Sequence, residues 1–156
     1  MSKYVALLRG IMPMNPNMRN EKICKVFGQL GFTNVQAIIA SGNFIFESPS
    51  KNEKQLEAMI EKALPKYLNF KSMTIVRSHD DLLKLAKKNP FKGVDEKKFR
   101  TTITFLKNPR RAVPSVSSLT ITTGPDFMTA LEKQHGKEIT TRTWKTVHRI
   151  LVKLGA

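Results

Sequence analysis

Acidic residues are scarce in this chain: twelve Asp and Glu stand against 27 Lys and Arg in 156 residues, leaving a formal net charge of +15. A balance that far from zero attracts polyanions and repels other copies of the protein, so phosphate-rich partners are the first expectation. Cysteine is nearly missing as well. Cys24 stands alone, which excludes an internal disulfide framework and a cysteine-rich zinc site. Long apolar runs are absent: Tyr4-Val5-Ala6-Leu7-Leu8 near the amino terminus is shorter than a signal-peptide core and far short of a membrane span. A cytoplasmic location and no membrane partner are expected. There is no P-loop, no Gly-x-Gly-x-x-Gly after a strand and no His-Glu-x-x-His. No cofactor and no metal are expected, and the reading leans away from an enzyme.

What is present is enough for a core. Hydrophobic residues make up 40% of the chain and include nine Phe, with charged residues at 25%, too apolar a mixture for a disordered polycation. The run at residues 4–8 breaks at Gly10 and at a loop with Pro13 and Pro16, as a buried strand would. Ile23, Val26, Phe27 and Leu30 then fall at helical spacing, with Gly31 at the position of a left-handed cap. Residues 35–40 and 43–47 are strand-like and flank Ser41-Gly42, a pair suited to a tight hairpin. Ser50 and Glu53 predict a capping box before the stripe Leu56, Met59, Ile60, Ala63 and Leu64, with Pro65 expected to disturb the helix. Residues 73–77 supply a fourth strand. Strand, helix, strand, strand, helix, strand is the order of a ferredoxin-like plait, and residues 1–78 are assigned to it.

Residues 79–156 form the second α+β subdomain in this reading. Ser78 and Asp81 predict the cap of a helix that Asn89-Pro90 ends. Phe99, Thr101, Ile103 and Phe105 alternate with Arg100, Thr102, Thr104 and Leu106, a strand with one apolar and one largely polar face, typical of an antiparallel sheet. Residues 107–118, with two prolines, three serines and Arg110-Arg111, read as an exposed basic loop, and Leu119 with Ile121 as a short strand. Residues 125–134 and 143–154 are the expected final helices, the last closed by Gly155.

Several segments together carry a resemblance: Leu-Leu-Arg-Gly-Ile at 7–11, Leu-Gly-Phe-Thr-Asn-Val at 30–35, Ser41-Gly42-Asn43, Asn89-Pro90-Phe91, and Thr-Arg-Thr-Trp-Lys-Thr-Val at 141–147. In this order the chain resembles the bacterial domain-of-unknown-function family numbered 1697. The resemblance implies two ferredoxin-like subdomains and no known activity. The chain departs from the family pattern in Met12-Pro13-Met14-Asn15-Pro16, where relatives tend to have glycines. Thr143 and Lys145 stand where relatives usually have asparagines, and a short stretch separates Phe105 from Trp144. An abbreviated second plait-like half, with C-terminal helices, is the expectation.

The functional candidates are cations. In the last helix Trp144, Val147, Ile150, Leu151 and Leu154 make one apolar face, while Lys145, Arg149 and Lys153 step by four along another side beside Arg142 and His148. Lys97, Lys98, Arg100, Lys107, Arg110 and Arg111 lie in an acid-free run. Arg9, after the first strand and before a helix amino terminus, is placed to meet an anion. These residues are the candidates for a non-catalytic module that binds nucleic acid or another polyanion through its backbone phosphates. Phe44 and Phe46 lack the surroundings of an RNA-binding octapeptide and read as core. Two other classes stay open. One is an enzyme or sensor for a small phosphorylated or carboxylated ligand between the halves, clamped by Arg9 and Arg142; the other is a module for an acidic protein partner. His79 with Asp80 and Asp81 reads as a helix start, and Cys24 as a small buried hydrophobe.

Overall fold

A strand that is apolar on both faces must lie inside a sheet covered on both sides, and Ser2–Leu8 (β1) does. The computed structural model of the chain describes residues 1–39, 42–118 and 125–155. β1 pairs antiparallel with Asn43–Ser48 (β3) and with Thr74–Ser78 (β4), and Thr33–Ala37 (β2) pairs antiparallel with β3. The strand order β2-β3-β1-β4, with Asn20–Gln29 (α1) after β1 and Glu53–Leu68 (α2) after β3, is that of a ferredoxin-like plait. α1 and α2 cover one face. There Tyr4, Phe27, Phe32, Phe44 and Phe46 interlock, with Phe32 stacked on Phe46 at 4.4 Å between ring centres.

The opposite face of this sheet presents Val5, Leu7, Ile45 and Ile75. His79–Lys88 (α3) and Trp144–Leu154 (α5) lie against it and bring Leu82, Trp144, Val147, Ile150, Leu151 and Leu154. Ile103 and Phe105 of a second sheet join the same cluster. One continuous core therefore lies between the halves.

The second sheet has Phe99–Leu106 (β5) between Arg111–Ser118 (β6) and Ile139–Thr143 (β7), both neighbours antiparallel, with Pro125–His135 (α4) connecting β6 to β7. Strand order and sense match the first plait if β5, β6 and β7 take the places of its first, third and fourth strands. In the first half α1 and β2 occupy the stretch between those first two places; in the second, residues 107–110 turn directly from β5 into β6. The second sheet is thus a plait without its first helix and second strand. Its threonine face is covered: Thr102 and Thr104 are buried, and the Thr104 and Thr141 hydroxyls bond at 2.9 Å near Met128 of α4.

Several expectations are corrected. Residues 107–118 are a turn and a strand; Pro114 is compatible with β6 because this is the edge of its sheet, where a missing N–H breaks no ladder. β7 was not expected at all, and α5 begins one residue after it. α2 is capped by Asn52, whose Oδ1 accepts from Gln55 N at 3.1 Å, and it runs through Pro65 to a left-handed Asn69. Ser50 accepts from Asn52 N instead, and Glu53 is released for another duty. The strand expected at Leu119 and Ile121 lies outside the described residues.

That duty concerns the edge of the first sheet. β4 is an edge strand, and its outward N–H groups would template pairing with another chain. α2 caps them. Glu61 accepts from Thr74 N at 3.1 Å, Glu57 from Val76 N at 2.8 Å and Glu53 from Ser78 N at 2.8 Å. Four helical residues advance about 6 Å and two strand residues about 6.6 Å. Glutamates four apart on α2 therefore meet alternate residues of β4 in succession.

Candidate functional site

The glutamate stripe draws two of the candidate cations out of solvent. Arg110 places Nη1 and Nη2 on Glu57 Oε2 at 2.9 and 2.8 Å, with its Nε 3.4 Å from Glu53. Lys107 Nζ lies 2.8 Å from both carboxylate oxygens of Glu61. Arg77, buried under the stripe, donates to the Leu106 and Val76 carbonyls. Burial raises the carboxyl pKa values of Glu53 and Glu57 against the lowering influence of Arg110, and burial followed by the neighbouring Arg110 charge lowers that of Arg77. The short β5–β6 turn is thereby fastened to α2.

The proposed anion clamps are also engaged within the chain. Arg142, at the end of β7, donates through Nε to Asn43 Oδ1 at 2.6 Å and through Nη1 to Thr140 Oγ1 at 2.6 Å and Thr141 O at 3.0 Å. Its Nη2 reaches Leu8 O at 2.9 Å and Gly42 O at 3.3 Å. All three nitrogens are taken by protein oxygens, which leaves no donor for a ligand. No carboxylate is among them, and burial lowers the pKa of this guanidinium to about 10. Gly42 is required by this approach: its φ is +81°, and a Cβ would stand 2.6 Å from Leu8 O. Arg9 pairs with Glu132 and donates to Lys137 O at 2.8 Å. Arg9 and Arg142 thus join the halves to each other.

The remaining candidates are spread over separate places. Lys97 and Lys98 are exposed ahead of β5, Arg100 is half-buried on it, and Arg111 is exposed at the start of β6. Lys145, Arg149 and Lys153 are exposed on α5. Phe44 and Phe46 are buried under α1 and α2. Burial raises the pKa of Cys24, which keeps it a thiol at neutral pH.

A cationic trough forms where sequence reading looked only in part. A cavity of about 600 Å³ is lined by Lys51, Lys54 and Arg110 together with Glu53 and Asp81. A second, of about 480 Å³, is lined by Lys84, Lys88, Arg110 and Arg111, again with Asp81. Asp81 and Arg110 line both, so the two adjoin across the seam between α2, α3 and β6. Lys51, Lys54, Lys84, Lys88 and Arg111 make no ion pair among the described residues. Lys84 and Lys88 carry the same four-residue step that marked α5, a signal that could have found them. Lys51 and Lys54 become neighbours of Arg110 only through the tertiary fold.

Among the described residues, no helix is long and apolar enough to cross a membrane, and no group of three or more His, Cys, Asp or Glu could hold a metal ion. No curated protein matches the chain. A conserved bacterial protein from Streptococcus pneumoniae, SP0830, has a similar solved structure, with a TM-score of 0.77 at 18% identity over 100% of this chain and 99% of that one. At that identity the likeness speaks for the fold alone. Residues 1–135 match the family model described as "Protein of unknown function (DUF1697)", and the chain belongs to that family.

Proposed function

We propose that the protein is a non-catalytic binder of polyanions, with nucleic acid as the ligand class, and that the trough along Lys51, Lys54, Lys84, Lys88 and Arg111 takes the phosphates. The observation that supports this reading is the lining itself: five cations that make no ion pair among the described residues, beside Asp81 and the already paired Arg110 and Glu53, in two adjoining cavities. Glu53 is already engaged with Ser78 N and Arg110, so Asp81 is the one lining acid that faces a ligand. Lysines without acidic partners suit backbone contacts, which need positive charge and no base-reading chemistry. The excess charge of the whole chain would steer such a ligand to the surface and make binding salt-dependent.

Fluorescence anisotropy with a labelled duplex and with single-stranded RNA, across a salt series, tests this. Five phosphate contacts on duplex DNA predict log K falling against log salt with a slope of about −4.5, and Lys84→Ala combined with Lys88→Ala should make that slope shallower by about 1.8. No retention of DNA or RNA at roughly 50 mM salt, where the electrostatic contribution is strong, would remove the reading. Unchanged affinity in the double variant would remove the trough from it.

A further inference from the structure

The outward side of α5 is not simply charged. Val152 is 69% exposed between Arg149 and Lys153, and Ile39, two residues past the end of β2, is 42% exposed. They lie on either side of a groove of about 420 Å³ whose apolar lining also includes Ala37 and Ile38. Lys145, Arg149 and Lys153, with His148, also line it, and no acidic residue is among its described lining residues. An apolar channel with cations of one sign along it is a different surface from the trough, where the lining is polar and contains acids.

The groove is built by contacts between the halves. Ile38 N donates to Asn43 O at 2.8 Å, and Asn43 Nδ2 donates back to Ile38 O at 3.2 Å. Asn43 Oδ1 is held by Arg142, two residues before α5 begins. The hairpin wall and the helix wall are therefore fixed to one another through a buried side chain. Ile39 has φ +62°, a left-handed conformation that is strained for a β-branched residue. Asn20 Nδ2 holds its carbonyl at 3.2 Å. The fold thus retains a large apolar side chain in a strained backbone position and leaves it facing water.

We propose that this groove docks an acidic amphipathic helix of a partner protein. The charge pattern selects the sign: three cations and no acid call for carboxylates. The spacing selects the shape. Lys145, Arg149 and Lys153 advance about 6 Å per step along α5, and a helix lying beside it with Asp or Glu at every fourth position repeats at the same pitch. The apolar lining selects the remaining side chains, because aliphatic residues between those carboxylates would cover Ile39 and Val152. A polynucleotide could match the charges, but it would bring phosphates against Ile39 and Val152 and leave that apolar area uncovered.

The probe is a synthetic, labelled 15-residue helical peptide of Glu, Leu and Ala, with Glu at every fourth position and Leu between. Its controls are a scrambled peptide of the same composition and single-stranded DNA of similar charge. Anisotropy should show saturable binding of the ordered peptide and affinity lower by about tenfold or more for the scrambled one, as expected when register and apolar contact both count. Arg149→Glu and Val152→Asp, both at exposed positions, should each weaken the ordered peptide by about tenfold, with unchanged thermal melts. Methyl NMR of Ile39 and Val152 should move on titration. The trough variant Lys84→Ala with Lys88→Ala should leave peptide binding unchanged, so this groove and the polyanion trough stand or fall separately. The proposal is overturned if the ordered peptide shows no saturable binding, or if the scrambled peptide binds as well. It is also overturned if DNA displaces the peptide and loses affinity on Val152→Asp, which would assign the groove to nucleic acid.

Discussion

The first sheet carries apolar side chains on both faces, whereas the second is apolar on one face and threonine-lined on the other. The difference sets what each half can do alone. Under α1 and α2 the first half has a core made entirely of its own residues, with five interlocking aromatic rings. Among the described residues, the second half has a private cluster of three buried residues, Leu106, Leu131 and Ile139, with the partly buried Val113, Phe127 and Met128 packed against it. Its larger side chains, Ile103, Phe105, Trp144 and Ile150, are buried with Val5, Leu7, Ile45 and Ile75 of the first half. Two versions of one strand plan are stabilised differently: one around its own core, the other by docking. Burial is the main favourable contribution to folding, so the docked half should depend on its neighbour.

The sharpest way to break that comparison is to separate the halves. Residues 79–156 expressed alone should show no cooperative transition in urea or on heating, because most of their buried apolar surface lies against the missing sheet. A cooperative transition of that fragment would show that its private cluster is sufficient. Residues 1–78 keep the aromatic core and should retain strand and helix signals in circular dichroism, while Val5, Leu7, Ile45 and Ile75 become a dye-binding apolar face.

Next in size is the glutamate stripe. Glu57→Ala leaves the Val76 N–H without its acceptor and the Arg110 guanidinium without its closest partner, and breaking a buried pair from one side costs about 3–5 kcal/mol. Urea unfolding measures it. The same variant exposes the outward edge of β4, so a rise in self-association on concentration should accompany the loss. A destabilisation under about 1 kcal/mol would show that the stripe behaves as ordinary surface charge.

Arg142 comes third. Arg142→Met keeps much of the side-chain volume and removes every hydrogen bond to Leu8 O, Gly42 O and Asn43 Oδ1. Each orphaned buried acceptor costs about 1–3 kcal/mol, partly offset by removal of a desolvated charge, for a net loss of about 2–3 kcal/mol. If Arg142 were instead a clamp waiting for a small anion, the variant would be as stable as wild type without ligand.

A smaller effect appears in the pH dependence. Glu53 and Glu57 have carboxyl pKa values raised by burial above the ordinary 4.5. A carboxyl raised on folding binds its proton more tightly in the folded state. Its contribution to stability is full below 4.5 and is lost as the pH climbs through the raised value. Each such group adds a negative slope of at most about 1.4 kcal/mol per pH unit over that window. Glu57→Gln should flatten the fall in urea stability above 4.5, and an unchanged slope would assign the fall to other groups.

Legibility in the sequence follows the same division between the halves. β1, α1, β3 and α2 are readable because their periodicities report a local two-sided or one-sided burial, and the plait follows from their order. β6 is not readable, since Pro114 and its serines are loop-like by composition and become a strand only by pairing along Phe99–Leu106. β7 had a signal, the β-branched run Ile139-Thr140-Thr141, masked by the helix signature that follows. The cations were harder still. Arg110 and Lys107 look like free basic residues until the fold sets Glu57 and Glu61 of α2 beside them, about fifty positions away in the chain. Arg142 has no acidic partner among the described residues; its acceptors are carbonyls, a hydroxyl and an amide, which carry no charge signature in a sequence.

The smallest effect sharpens the comparison most finely, because it separates two arginines that join the same halves. Arg9 is partly exposed, its side chain at 31% and that of its partner Glu132 at 25%, so solvent and salt screen the pair. Arg9→Ala should cost no more than about 1 kcal/mol in urea unfolding, and that cost should shrink further in high salt. Arg142 donates to neutral oxygens in a drier place, and its loss should be nearly independent of salt. Equal costs and equal salt dependence for the two variants would mean that the seam is uniformly wet, and that the second half is held by its shared apolar face with no further help from buried polar contacts. Unequal costs in the stated order would mean that the seam is graded, dry at Asn43 and Leu8 and wet at α4, with the groove beside α5 fixed at its dry end.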